Sequence, residues 1–272
     1  MDVLTILLFL GYGIGLGSLA TLWSKESEDI VEVLAMRLGI GIALFAIIGA
    51  ILNLLGITIV WWIFGLLAAI GLGLSLYKKG FKKSKISVIH ILLLIIVVGA
   101  TYMYVAGSMA YPYLENDDPW AHAEGAKYVA QAGSLNDVPG FDFNYLDPYP
   151  PAYDLLMGVL HQTSDSLYWV LKFFNGLIIA LSLLWFFFFS RRFMGSGQKA
   201  LFATFCLATL PSFFTHFIWA HTLAVAFFFP SMYCLLKIDQ DRNWILPASI
   251  SIAGILLSQP SQGLKMGIML AM

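Results

Sequence analysis

Charge is what this sequence has least of. Asp, Glu, Lys and Arg supply 11% of its 272 residues, against roughly 25% in soluble domains. Apolar residues make up 60%, and the mean hydropathy is +0.82. A water-soluble globule of this length could not hide that much apolar surface in one core, and a disordered chain needs the reverse balance, so both classes are excluded. Net charge is missing too: 15 Lys and Arg against 16 Asp and Glu leave −1, which provides no global field to gather nucleic acid. Cysteine is nearly absent. Cys206 and Cys234 stand singly in apolar runs, with neither metal-ligand spacing nor a disulfide framework, and read as packing residues.

What the chain has instead is long apolar sequence. Stretches of about 18 to 25 residues suffice to cross ~30 Å of hydrocarbon. Eight occur, near 3–22, 38–55, 58–77, 86–108, 167–189, 199–218, 221–237 and from 245 to the end. The expected fold is therefore all-α, a polytopic transmembrane bundle of about eight spans. No basic residue precedes the first stretch and no cleavage-type site follows it, so it reads as an anchor. Its Gly11, Gly13, Gly15 and Gly17 neither follow a strand nor open a polar helix, and read as small residues that let helices approach closely.

Orientation follows from the bases, which stay on the cytoplasmic side in short loops. Lys78, Lys79, Lys82, Lys83 and Lys85 form the densest cluster. Placing it inside also puts Lys25, Arg37, Arg191, Arg192, Lys199, Lys237 and Arg242 inside, 12 of the 15 bases. Residues 109–166 then face outward.

That outer loop holds nine of the 16 acids, Glu115, Asp117, Asp118, Glu124, Asp137, Asp142, Asp147, Asp154 and Asp165, against one base, Lys127. A loop so long is functional or disordered, and its aromatics and prolines argue for order. Asp118 as N-cap, Pro119 at the first helical position and Gly133 at the end predict a helix over 118–133. A second helix is expected from Pro151 to about His161, lying in the membrane interface because Leu155–Leu160 is too short to span. Four residues apart, Asp118 and His122 share a face and can reach one divalent ion, with Asp117 or Glu115 nearby. A capping role alone would also account for an Asp before Pro. Four acids within ten residues beside Trp120 exceed what a cap needs, which points to Asp117 and Asp118 as functional acids.

The run Glu115-Asn-Asp-Asp-Pro-Trp-Ala-His-Ala-Glu-Gly-Ala-Lys127 resembles the first outer-loop motif of the oligosaccharyltransferase catalytic subunits of bacteria and archaea. Tyr149-Pro-Pro-Ala-Tyr153 is similar to the start of the second juxtamembrane helix in the wider GT-C superfamily of integral membrane glycosyltransferases, and Arg191-Arg192 followed by Leu210-Pro211-Ser212 suits its layout. The resemblance spans roughly 109–262 and is most specific at 115–127. It implies a GT-C-like core over 86–272, preceded by extra helices over 1–85, and matches Asp118 to the catalytic, metal-binding Asp. It departs from the family at the next outer connection, where a second acidic pair is expected and Thr215–His221 supplies only His216 and His221. Either histidine replaces a metal ligand, or this branch works without that metal. The family's carboxy-terminal outer domain is missing, and the chain stops inside an apolar run, as a fragment would.

The implied activity is transfer of a glycosyl group from a polyprenyl-phosphate-linked sugar, standing in the membrane lipid, to a glycan or protein acceptor at the outer face. The leaving phosphate gains charge and needs a cation, while the acceptor needs a base. Asp118 serves as ligand to an Mg or Mn ion, or as the base itself. Lys127, Lys172 and Lys265 are the bases outside the inner set. Lys172, beside Asn175 and near the outer end of its helix, reads either as functional or as snorkelling. Trp120, Tyr149 and Tyr153 are the candidate sugar platforms. Phe186–Phe189 and Trp61-Trp62 read as lipid-facing. A transporter, which would show mid-membrane ionisable residues and repeats, and an inactive assembly subunit of the same fold are the competing readings.

Overall fold

The computed structural model describes residues 3–80, 86–140, 146, 149–210, 213 and 217–271. These are helical, with no strand among them: α1 (Val3–Ala20), α2 (Ile30–Leu54), α3 (Trp61–Lys79), α4 (Val88–Ala110), α5 (Asp117–Ala132), α6 (Ala152–His161), α7 (Leu167–Met194), α8 (Gly197–Ala208), α9 (Ala220–Ile238), α10 (Ile245–Ser258) and α11 (Pro260–Ala271), with a 3₁₀ turn at Arg242–Trp244. Six of them, α1, α2, α3, α4, α7 and α9, are long and apolar enough to cross a membrane. Two of the eight expected stretches do not form a single helix of spanning length among the described residues. The helix in the 199–218 stretch ends at Ala208, and the last stretch breaks at Gln259-Pro260 into α10 of 14 residues and α11 of 12, each below the ~17 residues a span needs. Proline has no amide hydrogen to continue the ladder, so the break falls where the sequence supplies Pro260.

The long helices alternate between two ends of the bundle. One end collects bases: Lys78 and Lys79 close α3, Arg191 and Arg192 close α7, and Lys237 closes α9. Here Glu26, in the α1–α2 connection, accepts hydrogen bonds from Arg37 Nε and Nη2 at 2.7 and 2.8 Å and lies 3.1 Å from Lys79. Burial alone would raise the Glu26 carboxyl, but the hydrogen bonds and charges of Arg37 and Lys79 overcome it and hold the group below the ordinary carboxylate range. Asp29 caps α2 and accepts from Arg191 at 2.7 Å, while Glu32 accepts from Arg191 and, at 2.5 Å, from the Tyr233 hydroxyl. One acid-rich connection thus ties α2 to α7 and α9. Lys82, Lys83 and Lys85 lie outside the described residues.

Of the α1 glycines, Gly13, Gly15 and Gly17 pack closely as expected, while Gly11 does not. A Cβ on Gly17 would stand 1.8 Å from the Arg37 carbonyl oxygen, one on Gly41 1.8 Å from the Gly13 carbonyl oxygen, and one on Gly15 2.4 Å from that of Ala68. Without side chains there, α1 lies directly on α2 and α3. A Trp185 indole N–H donated to Ala35 O at 2.8 Å fastens α7 to α2. One continuous core links α1, α2, α6, α7, α9 and α10. Phe187 and Phe188 belong to that core rather than facing lipid, whereas Trp61 and Trp62 are exposed as expected.

The opposite end carries α5 and α6. Thr163 and Gln162, just past α6, hold the starts of α1 and α3, through Thr5 Oγ1–H to Thr163 O at 2.9 Å and Trp61 N–H to Gln162 Oε1 at 2.7 Å. The second loop helix forms where expected, and it packs inside the protein. All of its residues from Ala152 to Leu160 are buried, because α5 covers it and α2 meets it at Gly49, where a Cβ would lie 2.2 Å from Leu155 Cδ2. Its apolar run is a core segment.

Candidate functional site

The first turn of α5 carries the acidic pair. Asn116, not Asp118, is the N-cap: it is extended, and its side-chain oxygen accepts the Asp117 N–H at 2.7 Å. Asp117 and Asp118 therefore sit inside the first turn, both exposed, where the amino-terminal dipole favours negative charge. The capping role that would have explained Asp118 away belongs to another residue. Gly133 ends the helix in the left-handed region at φ 61, as expected. Trp120 is exposed and meets Tyr168 edge-on at 5.7 Å. Lys127 is exposed on the same helix.

The buried face of α5 is held by a polar contact. His122 Nδ1 lies 2.7 Å from Asp154 Oδ1 on α6, and its Nε2 accepts the Ala220 N–H of α9 at 3.1 Å. The two side chains are 1% and 0% exposed. An N–H aimed at Nε2 demands a lone pair there, so a neutral His122 carries its proton on Nδ1 and donates it to Asp154. Among the described residues, Asp154 Oδ2 is buried without a hydrogen-bond partner and lies 2.7 Å from where a Cβ on Gly125 would stand. Burial pushes the Asp154 carboxyl above its ordinary range, and His122 offsets this only in part.

The other expected residues are distributed around this contact. Tyr153 is buried, donating to Asn175 Oδ1 at 3.1 Å with its ring 4.9 Å from His122. It is a wall of the core and not an exposed sugar platform. Tyr149, half-buried and edge-on to His122 at 5.4 Å, lines an open cleft with Asn53, Asn136 and Asp137. Lys172 is buried on α7 and donates to the Tyr111 carbonyl at the end of α4. It lines a small cleft with Ser108, Tyr113, Glu115 and Pro119, so the residues bracketing Asp117 and Asp118 form its opposite wall. His221 begins α9, with Nε2 3.2 Å from Gln259 Nε2 and its ring 4.3 Å from that of Trp219. Asp118, His122 and Lys265 lie within electrostatic range of it. His216 lies outside the described residues.

The expected metal centre fits only in part. Both ring nitrogens of His122 are engaged by protein groups, which leaves no lone pair toward an ion shared with Asp118. Among the described residues, no three of His, Cys, Asp and Glu converge as a ligand set. Asp117 and Asp118 remain suitable oxygen donors by exposure and chemistry.

Below this end, α4 and α7 cross closely at Gly176, where a Cβ would lie 3.1 Å from Val105 Cγ2. Beside the crossing runs an apolar groove of about 580 Å³, lined by Val97, Val98, Thr101, Tyr102, Val105, Ala106, Phe173 and Leu177. Its upper wall residues, Ala106 and Phe173, are next to the Ser108–Lys172 cleft in sequence.

Compared with family models, curated proteins and solved structures, the chain finds no match. Its site is therefore interpreted from its own geometry.

Asp154 is the residue that sequence reading passed over, counted only among nine acids. The signal was present: it is the one charged residue between Ala152 and Leu160, and an acid inside an apolar helix needs a buried partner. Ala220 could not have been found this way, since it contributes only its backbone.

Proposed function

We propose that this protein is a membrane glycosyltransferase of GT-C type, taking a glycosyl group from a polyprenyl-phosphate-linked donor and passing it to an acceptor at the end of the bundle opposite the bases, the extracytoplasmic side. The observation that carries the reading is a juxtaposition. Glu115 and Pro119, which flank the exposed Asp117–Asp118 turn, line one cleft with buried Lys172, and Phe173, the next residue along α7, lines an apolar groove between α4 and α7. An isoprenoid chain matches the groove and a phosphate matches the ammonium, which can form further hydrogen bonds besides that to Tyr111.

In the reaction, an acceptor nucleophile bonds to the anomeric carbon as the bond from that carbon to the phosphate oxygen breaks. Asp118 takes the acceptor's proton, and Lys172 receives the charge that develops on the lipid phosphate. Asp117 and Trp120 border the sugar, and Tyr149 lines the neighbouring cleft from which an acceptor approaches. An Mg or Mn ion held by Asp117 and Asp118 would supply additional positive charge against the phosphate.

The test is release of lipid phosphate from a polyprenyl-phosphate-linked sugar by membranes containing the protein. Turnover that Asp118→Asn lowers by about 100-fold or more supports the reading, in line with the ~10²–10⁴ contribution of a positioned base. Movement of solute without cleavage would make the protein a transporter, and neither activity would make it an assembly subunit. Turnover lost on chelation and restored by Mg or Mn assigns the ion to the pair; unchanged turnover removes it.

A further inference from the structure

We propose that His122 and Asp154 form a positioning unit that holds the Asp117–Asp118 turn of α5 in register with the amino-terminal end of α9. The proposal deepens the glycosyl-transfer reading and rests on it only for its kinetic consequence.

His122 is one turn past Asp118 and contacts two other elements at once, α6 through Nδ1 and α9 through Nε2. A side chain only 1% exposed with both nitrogens engaged has one arrangement that satisfies all three groups. Nδ1–H donates to the carboxylate, and the Nε2 lone pair receives the amide hydrogen. The other neutral tautomer would set Nε2–H against the Ala220 N–H, two buried donors facing each other with neither satisfied. The ring is held further by Tyr153 and Tyr149, edge-on at 4.9 and 5.4 Å. Tyr153 is itself fixed to Asn175, which donates to Phe217 O at 3.0 Å. Phe217 lies three residues before Ala220, so a second chain of contacts reaches the same end of α9.

The space for the unit is also built in. Gly125 and Gly158 are where α5 and α6 approach most closely: a Cβ on Gly125 would stand 2.7 Å from Asp154 Oδ2, and one on Gly158 2.7 Å from Ala126 O. Asp154 Oδ2 without a partner is the cost of this arrangement. A helix pair packed for stability alone is better served by an apolar residue at 154, and an acid there makes sense as the orienting partner of His122. Neither residue touches a substrate in this account.

The test uses the full chain in nanodiscs. Nitrogen NMR of histidine, with the His122 signal assigned by its loss in His122→Asn, should show a neutral ring protonated at Nδ1. A ring protonated at Nε2, or exchanging between the two forms, overturns the proposal. In a Cys206→Ser background, spin labels at Glu124→Cys on α5 and Lys265→Cys on α11, both exposed positions, should give one narrow distance distribution. Asp154→Leu and Gly125→Ala should broaden it. Asp154→Asn, whose amide oxygen still accepts from Nδ1–H, should restore it. An unchanged distribution in a folded Asp154→Leu protein would contradict the proposal. These readouts need no activity, so they decide the question even where donor turnover is absent and the glycosyl-transfer reading fails. Where turnover is present, Asp154→Leu should lower kcat about 100-fold, as displacement of a reacting group by an ångström does, with the donor KM little changed. A rise in KM alone would contradict the proposal.

Discussion

Lys172 is the residue on which the proposed division of labour bears most heavily, because the surrounding loop is acidic and would otherwise repel a phosphate. Its burial and its bond to the Tyr111 carbonyl fix the ammonium next to Glu115 rather than letting it snorkel into solvent. Lys172→Met keeps the volume and removes the charge. Kinetics on the purified variant should show a donor KM raised about 10- to 100-fold, the equivalent of the roughly 1.5–3 kcal/mol of a hydrogen bond to a charged group, with kcat far less affected. An unchanged KM in a protein of unchanged thermal stability would separate Lys172 from the donor. Residue identity alone pointed to Lys172, Asp117 and Asp118, because ionisable groups are rare in this chain and each needs a reason. Identity alone misassigned His122 and Tyr153. Their types suggested a metal ligand and a sugar platform, whereas burial between α5 and α6 for His122, and against His122 and Asn175 for Tyr153, makes both wall residues of the loop core.

Elements were legible wherever local chemistry decides them. Gly133 ends α5 and the Pro150-Pro151 pair precedes α6, both through backbone constraints that act within a few residues. The surroundings of α6 were not legible. A short, mostly apolar helix suits an interface or a core equally well, and the close approaches at Gly49 and Gly158 show it packed against α2 and α5. The α1 glycines are the clearer case, since spacing announced the packing and the contacts confirm it. Gly17→Ala and Gly41→Ala would each drive a Cβ to 1.8 Å from a backbone oxygen, forcing α1 and α2 apart. Thermal unfolding in detergent should register a loss of about 1–3 kcal/mol or more for either, the usual cost of overpacking. Gly11, whose Cβ would meet nothing within 4 Å, is the control: Gly11→Ala should be neutral or slightly stabilising. Equal losses at all three positions would refute the close-packing account.

At the scale of the whole molecule, the bundle has a basic end and an acidic ledge. Charge placement along the sequence anticipated this polarity, because bases fall at alternate helix ends throughout. The number of spans was not readable from hydropathy, which registers apolar length but not the turns that end α8 at Ala208 and α10 at Ser258. Nor could hydropathy show that α4 and α7 leave an apolar groove lined by Phe173, the residue after Lys172. In the proposed reading the groove takes the lipid chain and the Lys172 cleft the head group. It can be probed without knowing the acceptor. Photo-crosslinking with a polyprenyl-phosphate-linked sugar bearing a diazirine on its isoprenoid chain, followed by peptide mapping, tests it directly. Adducts concentrated on Val97–Ala106 and Phe173–Leu177, competed by unlabelled donor, are the predicted result. Adducts spread over the lipid-exposed faces of α3 and α4 alike, insensitive to competitor, would contradict the account.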